Sequence, residues 1–511
     1  MKSRKAILLI GLLAFVLTAN LYAGGGRDRG AARQDTLVVA MDRMPINLDP
    51  HMTNDIPSNI LHDSIFNRLV ILDHDMNLVP SLAERWEWVD PTRLRIFVRR
   101  GVKFHNGDEL RASDVKFSLE RSAASPNVSF LTGMIQRVDV INDFEVLVIL
   151  DFPFVPFLNN LTHSGASIVS ERAVRELGDQ HAHAPVGTGP FRLTNVVMGD
   201  RLELARWDYF WGRPAGVANL TFRIISDAMT RVLAVETGEI DIALGIQPQL
   251  LTRVRNHRDL TLHLGNTFQT NYIAFNVTRP PFNDVRVRHA VAYAIDLPAM
   301  VSAVYAGLSE PLNGPLTSNV WASINDQLPP LEHNPARARQ LLAEAGFPNG
   351  FSTTFYTNEG NPFRADTGEI LQNMLRQVGI DVSVRIVEWG AYLELTGRLE
   401  APMFMLGWVP STGDPDHGLY APFHSRNIGA AGNRGGFSNP EVDRLLDAGR
   451  QETNPQRRAE IYHEIQRIIR AELPWISQAT QAQTAAVRNN VQGFELHASS
   501  RHWFWDVSLS N

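Results

Sequence analysis

Stretches of period-2 hydrophobicity and stretches of helical period follow one another along most of this 511-residue chain, and that alternation constrains its fold more than any other feature. Leu94, Ile96 and Val98 alternate with Arg93, Arg95 and Arg99 around Phe97, the pattern of a strand with one buried face. Asn106-Gly107 then supplies a turn. Further strands are expected at 36–41, 138–151, 191–206, 220–225, 272–276, 382–387 and 403–408. Helices are marked by their caps. Asn283 precedes Val287, Ala290, Val291 and Ala294 at i, i+3, i+4, i+7 spacing, and Asp296 with Pro298 opens the next helix. Asn334-Pro335 opens a helix closed by Gly346, and Asn454-Pro455 opens one stopped before Pro474. Strands interleaved with helices specify mixed α/β layers. No repeat of roughly 20–50 residues is present, which disfavours solenoids and propellers. The length suits about three domains or one large bilobed body.

Composition narrows the chemistry. With 44% apolar residues, 10 Trp and 25 Phe, the chain can build sizeable cores, which argues against disorder. The absence of cysteine removes disulfides, thiolate metal sites, cysteine nucleophiles and a lipid-modified N-terminal cysteine. A net charge of −6 disfavours nucleic-acid binding. Every cation except Lys2, Lys5, Lys103 and Lys116 is arginine. That bias reads either as compositional habit or as carboxylate and phosphate recognition.

Lys2, Arg4 and Lys5 precede an apolar run at 6–19 and the small residues Ala23, Gly24, Gly25 and Gly26, the three parts of a secretory signal. The run spans about 21 Å as a helix, short of the roughly 30 Å hydrocarbon core. Cleavage is expected near Ala23, leaving 45 basic against 54 acidic side chains, since Lys2, Arg4 and Lys5 are lost. Residues 24–34 read as a flexible leader, with order beginning at Asp35. The product is expected to be soluble in the periplasm.

Catalytic constellations are missing. The sequence has no Gly-x-Ser-x-Gly elbow, no His-Glu-x-x-His helix and no phosphate loop ending in Gly-Lys-Ser/Thr. Gly187-Thr188-Gly189-Pro190 reads as a turn. His181 and His183 read as a solvated loop or a metal pair, and Asp414, Asp416 and His417 as a turn or a metal set. These readings favour a binder over an enzyme.

Longer motifs point to a family. Leu82-Ala83-Glu84-Arg85-Trp86, the run 94–107 ending Phe104-His105-Asn106-Gly107, and Ala112-Ser113-Asp114-Val115-Lys116-Phe117 resemble family 5 of the extracellular solute-binding proteins, the peptide and nickel receptors of ABC importers. The resemblance continues through Val186-Gly187-Thr188-Gly189-Pro190-Phe191, Thr237-Gly238-Glu239-Ile240-Asp241-Ile242, Phe275-Asn276, 281–290 and 334–351, and covers 35–511. It implies an α/β bilobed periplasmic-binding-protein fold of class II type, from the large cluster with an extra inserted domain. Lobe I is expected from 35–55, 170–268 and 485–511, the inserted domain from 56–169 and lobe II from 269–484.

The resemblance also implies a site. In related dipeptide binders a Gly-Trp segment pairs with the peptide backbone, and an Asp after it pairs with the ligand amine. The matching residues here are Gly407 and Trp408, with Ser411 where that Asp would stand. A hydroxyl does not offset the burial of an ammonium as a carboxylate does. The run Trp408 to Asp414, including Thr412, is similar instead to the glutathione-binding branch of the family, as are 437–443 and 472–476. Asn54, Asp55, Ile56 and Pro57 match a first-lobe loop along the ligand, and Asp55 is either an amine partner or a solvated aspartate. Arg364 matches the region that presents an arginine to the ligand carboxylate, or is a surface residue at a helix start. Asn271 and Tyr272 fall where a crossing segment passes the cleft. No cofactor is expected. The expected partners are a small peptide and membrane permease subunits, and the chain is expected to act as a monomer. The rival readings are a nickel-chelate or haem receptor using Trp408, His163 or His417, and a secreted hydrolase.

Overall fold

The computed structural model describes residues 35–480 and 482–510, so the expected signal segment and leader lie outside the described residues. Two large sheets organise the chain. The first orders its seven strands as Leu260–Gly265, Gln483–Arg488, Ile242–Leu244, Thr36–Met41, Asn219–Ile224, Arg201–Arg206 and Phe191–Val197. The second orders five as Ile380–Val387, Phe351–Asn358, Met403–Trp408, Thr270–Phe275 and Trp475–Thr480. A four-stranded antiparallel sheet, Ala83–Asp90, Arg93–Val98, Glu145–Leu150 and Ile135–Asn142, buries Leu94, Ile96, Val146 and Val148 against the helix Ala112–Ala124. The chain leaves the seven-stranded sheet for the five-stranded one after Gly265 and returns between Thr480 and Gln483. Among the described residues the two sheets are thus joined by one outgoing and one returning segment.

The central strands are buried on both faces, and residue parity decides which core each side chain joins. Ile273 and Phe275 enter one core with Met403 and Met405, while Tyr272 and Ala274 enter the other with Phe404 and Leu406. In the first sheet Val39 and Met41 pack with Leu220 and Phe222, whereas Ala40 packs with Ala243 and Ala486 on the opposite face.

Several expected elements resolve differently in detail. The segment 138–151 is a hairpin of Ile135–Asn142 and Glu145–Leu150, turned where the Phe144 N–H donates to Asn142 Oδ1 at 3.0 Å. The segment 191–206 is likewise a hairpin, turned at Gly199 with φ 75°. Asp284, one residue past Asn283, caps the helix Val285–Ala294, whereas Asp296, Asn334 and Asn454 cap as their spacing predicts. The helix Ile56–Ile65, expected to open the inserted domain, packs Ile60, Leu61 and Ile65 with Leu37 and Val39 of the seven-stranded sheet. The returning strand starts at Gln483, so the seven-stranded sheet resumes two residues before 485, the expected boundary of the last lobe I segment. Gly187 and Gly189 turn against that first helix: a Cβ on Gly187 would stand 2.0 Å from the Ile65 carbonyl oxygen, and one on Gly189 2.5 Å from its carbonyl carbon.

Candidate functional site

Parallel strands put their C-terminal ends on one edge, where ligands of open α/β sheets are bound. Thr36–Met41 runs parallel to Asn219–Ile224 and Ile242–Leu244, and Phe351–Asn358 runs parallel to Ile380–Val387 and Met403–Trp408. The residues just beyond those ends include Arg43, Trp389 and Ser411, and all three line one cavity. Its open space is about 830 Å³, part of it continuous with solvent. A second cavity shares Arg43, Ile56, Pro57, Gln269 and Arg364 with it, so the two form one continuous cleft between the sheets.

Of the residues expected at the site, the cavity is lined by Asn54, Asp55, Ile56, Pro57, Tyr272, Arg364, Gly407, Trp408 and Ser411. Asn271, Thr412 and Asp414 do not line it, and each has a structural reason. Asn271 has the parity of Ile273 and Phe275, and its Nδ2 donates to the Tyr305 hydroxyl at 3.0 Å. Thr412 is buried, and its carbonyl accepts from Asn159 Nδ2 at 3.1 Å. Asp414 caps the helix Pro415–Phe423 and accepts two bonds from Arg458, at 2.7 and 2.8 Å. The Asp414, Asp416 and His417 run is also divided. Asp416 pairs with Arg450 at 3.0 Å, while the His417 ring faces the cavity wall. His181 is not in a solvated loop: it is buried, 3.0 Å from Asp49 Oδ2. Among the described residues no group of three or more histidine or acidic side chains is placed to hold a metal ion.

The lining is cationic. Arg43, Arg364 and Arg434 face it, with Asp55 the one carboxylate among the lining residues. Arg364 sits in the first turn of the helix Pro362–Arg376, capped by Asn361. Its Nη1 donates to Asn358 Oδ1 at 2.5 Å, and its Nε is buried with no hydrogen-bond partner among the described residues. Burial, reinforced by the nearby Arg43 charge, pushes the Arg364 guanidinium down to about 10. Arg434 is tied to the carbonyls of Leu393 and Ala430 and to the Thr396 hydroxyl, which leaves it a wall element. Asp55 caps the helix Ile56–Ile65 and also accepts from the Thr53 hydroxyl at 2.7 Å. Across the cleft the Trp389 indole N–H donates to Asp55 Oδ2 at 3.3 Å, and Asn54 Nδ2 donates to the Ala431 carbonyl at 3.2 Å.

Aromatic groups form the remaining wall. The Trp408 indole N–H donates to the His417 carbonyl at 2.8 Å, fixing the ring at the cavity. His417 stacks on Phe130 with centroids 5.6 Å apart and meets His163 edge-on at 5.2 Å. Burial pushes His417 down to about 3 and His163 well below its ordinary value, so both rings are neutral at pH 7. Gly407 lets the chain come close: a Cβ there would lie 2.6 Å from Gln269 Nε2 and 2.8 Å from Asn271 Oδ1. Ser411 Oγ is buried without a hydrogen-bond partner among the described residues, a polar atom left for something that enters the cleft. Arg43, Gln269, Trp389 and Arg434 were not legible as site residues in the sequence. The available signal was position, since Arg43 and Trp389 each stand two residues beyond a parallel strand.

A cleft at the facing edges of two sheets joined by an outgoing and a returning segment defines a two-lobed binding protein. Residues 77–430 match the family described as bacterial extracellular solute-binding proteins, family 5 Middle. The chain belongs to this family, as its motifs lead one to expect, and is by that membership a solute receptor. It is similar to the glutathione-binding protein GsiB of Salmonella choleraesuis, with 32% identity over 486 residues covering 93% of this chain and 94% of that protein. The GsiB of Escherichia coli is 30% identical over 485 residues with the same coverage of each chain, 93% and 94%. Among solved structures, the periplasmic binding protein DppA of Helicobacter pylori, in complex with the peptide STSA, superposes with a TM-score of 0.88 at 26% identity, covering 93% of this chain and 98% of that one. NikZ of Campylobacter jejuni, in complex with Ni(L-His), shares the fold with a TM-score of 0.83 at 22% identity, covering 93% and 97%.

Proposed function

We propose that this protein captures a small peptide of the glutathione class between its lobes and delivers it to the permease of an ABC importer, without turning it over. The observation that carries the reading is the charge of the cleft. Three guanidiniums line the first cavity against one carboxylate, Asp55, with Asp42 in the adjoining one, and Ser411 stands where the resemblance to dipeptide receptors would place an acid. Glutathione bears two carboxylates and one amine, and such a wall suits two carboxylates better than an ordinary dipeptide's one. Asp55 is the available amine partner, Arg364 a carboxylate partner, and Trp408 with Gly407 the surface on which the peptide lies. The names of the relatives similar over nearly the whole chain support the same ligand.

A ligand that touches both lobes binds the closed form better than the open one and shifts the population toward closure. We place lobe I at 35–55, 170–268 and 483–511 together with the helix Ile56–Ile65, the inserted domain in the rest of 56–169, and lobe II at 269–482. The receptor works as a periplasmic monomer after cleavage near Ala23, and ATP hydrolysis belongs to the membrane partner. A second reading, a nickel-chelate receptor, is favoured by the two cavity histidines His163 and His417.

Thermal unfolding against glutathione, dipeptides and nickel with histidine separates the two readings. A true ligand at a hundred times its Kd raises stability by about 2.7 kcal/mol. A rise with peptides and none with nickel-histidine supports the peptide reading, and the reverse pattern overturns it.

A further inference from the structure

We infer that Arg43 is a second anion-binding residue of the cleft, supplied by the first lobe, and that through it a carboxylate on the ligand becomes a condition of lobe closure. This rests on the peptide-receptor reading above and adds to it the residue that selects the ligand's charge. Arg43 follows the strand Thr36–Met41, while Arg364 belongs to the helix Pro362–Arg376 beside the other sheet. Both guanidiniums lie on the same indole: Arg43 is 4.5 Å and Arg364 5.8 Å from the Trp389 ring centroid. Among the described residues Arg364 makes no ion pair, and the one carboxylate paired with Arg43 is Asp42. Arg43 Nε and Nη1 and Arg364 Nε are buried without a hydrogen-bond partner among the described residues, and Asp42 stands 3.5 Å from Arg43 Nε, beyond a strong charged bond. Asp55 accepts only from the neutral donors Thr53, Ser58 and Trp389 and makes no ion pair with Arg43 or Arg364 among the described residues, so its charge remains for the ligand amine.

Closing the lobes therefore brings two like charges toward one ring and strips water from their donors, which opposes closure. A carboxylate between them turns the repulsion into attraction and satisfies the idle N–H groups. A carboxamide of the same shape supplies the acceptor without the charge. The pair thus acts as an electrostatic gate, and Arg43 determines specificity because it puts the second cation on the opposite lobe.

The test uses Arg43→Gln and Arg43→Lys in the mature chain, with glutathione and its glycine carboxamide as probes. Calorimetry of the parent protein should show the acid bound roughly tenfold or more tighter than the amide. Arg43→Gln should shrink that ratio at least several-fold, chiefly by weakening the acid, and Arg43→Lys should restore most of it. Small-angle scattering without ligand should show Arg43→Gln more compact than the parent, because the repulsion is gone. An unchanged ratio together with an unchanged ligand-free radius overturns the inference. If neither probe binds the parent, the glutathione assignment fails and the ligand-free arm alone decides: compaction in Arg43→Gln and not in Arg43→Lys upholds the gate, and equal radii refute it.

Discussion

Asp414 and Ser411 lie within one short turn, yet the fold gives them opposite work. Asp414 caps a helix and holds Arg458, whose side chain is only 6% exposed, so its charge is spent within the lobe. Asp414→Asn keeps a capping oxygen but leaves a buried guanidinium unpaired, and stability should fall by about 3–5 kcal/mol. Peptide affinity, measured where the variant is still folded, should be nearly unchanged, and a large loss of affinity would return Asp414 to the site. Ser411→Ala should do the reverse. Its Oγ has no hydrogen-bond partner among the described residues to lose, so the unfolding midpoint should hold while ligand affinity drops by about 0.5–1.5 kcal/mol. Sequence alone did not separate such cases. Asn271 and Tyr272 are neighbours of equal plausibility, and only strand parity turns Tyr272 to the cleft and Asn271 to Tyr305. A register shift of one residue would exchange them.

Helix caps and period-2 strands were legible because each is a local device: an Asn or Asp side chain bonding its own helix, or one buried face repeating every second residue. The helix Ile56–Ile65 sets Ile56, Ile60, Leu61 and Ile65 against Ser58, Asn59, His62 and Asp63 at helical spacing behind the Asp55 cap, but nothing local shows that both of its faces are covered. It is buried from Pro57 to Ile65, with Ser58, Asn59, His62, Asp63 and Ser64 all enclosed, which its amphipathic period alone would not lead one to expect. This helix carries the Asp55 cap at one end and rests on the glycine turn at the other. Gly187→Ala would drive a Cβ into the Ile65 carbonyl, and overpacking of this kind costs about 1–3 kcal/mol. Because the displaced helix bears Asp55, peptide affinity should fall along with the unfolding midpoint. A variant that loses stability while binding normally would show that the helix end moves without disturbing the cleft.

On the scale of the whole molecule, buried imidazoles tie stability to pH. His51 and His105 are pushed down to about 4 by burial, and His417 and His502 to about 3. The unfolded chain takes up these protons near pH 6.5 and the folded one does not, so between about pH 6.5 and 4 unfolding is proton-coupled and stability falls as pH falls. Asp49 adds to the same trend at lower pH. Burial alone would raise its carboxyl, but hydrogen bonds to His181 and Arg121 hold it well below the usual range, so its stabilisation is present above about pH 4 and lost on further acidification. Calorimetric scans should show the midpoint dropping steadily from pH 7 to pH 4, and a flat profile would contradict this accounting.

The two-lobed architecture was legible because long motifs accompany it, whereas the charge of the cleft was not. Arg43, Arg364 and Arg434 are far apart in the chain, and Arg43 joins the other two only where the two sheets face each other. The most direct measurement of that meeting is mass spectrometry of the solute released when protein purified from its native cells is denatured. The account predicts a small peptide with free carboxylates, glutathione foremost. A metal chelate, a haem or an uncharged solute would contradict it.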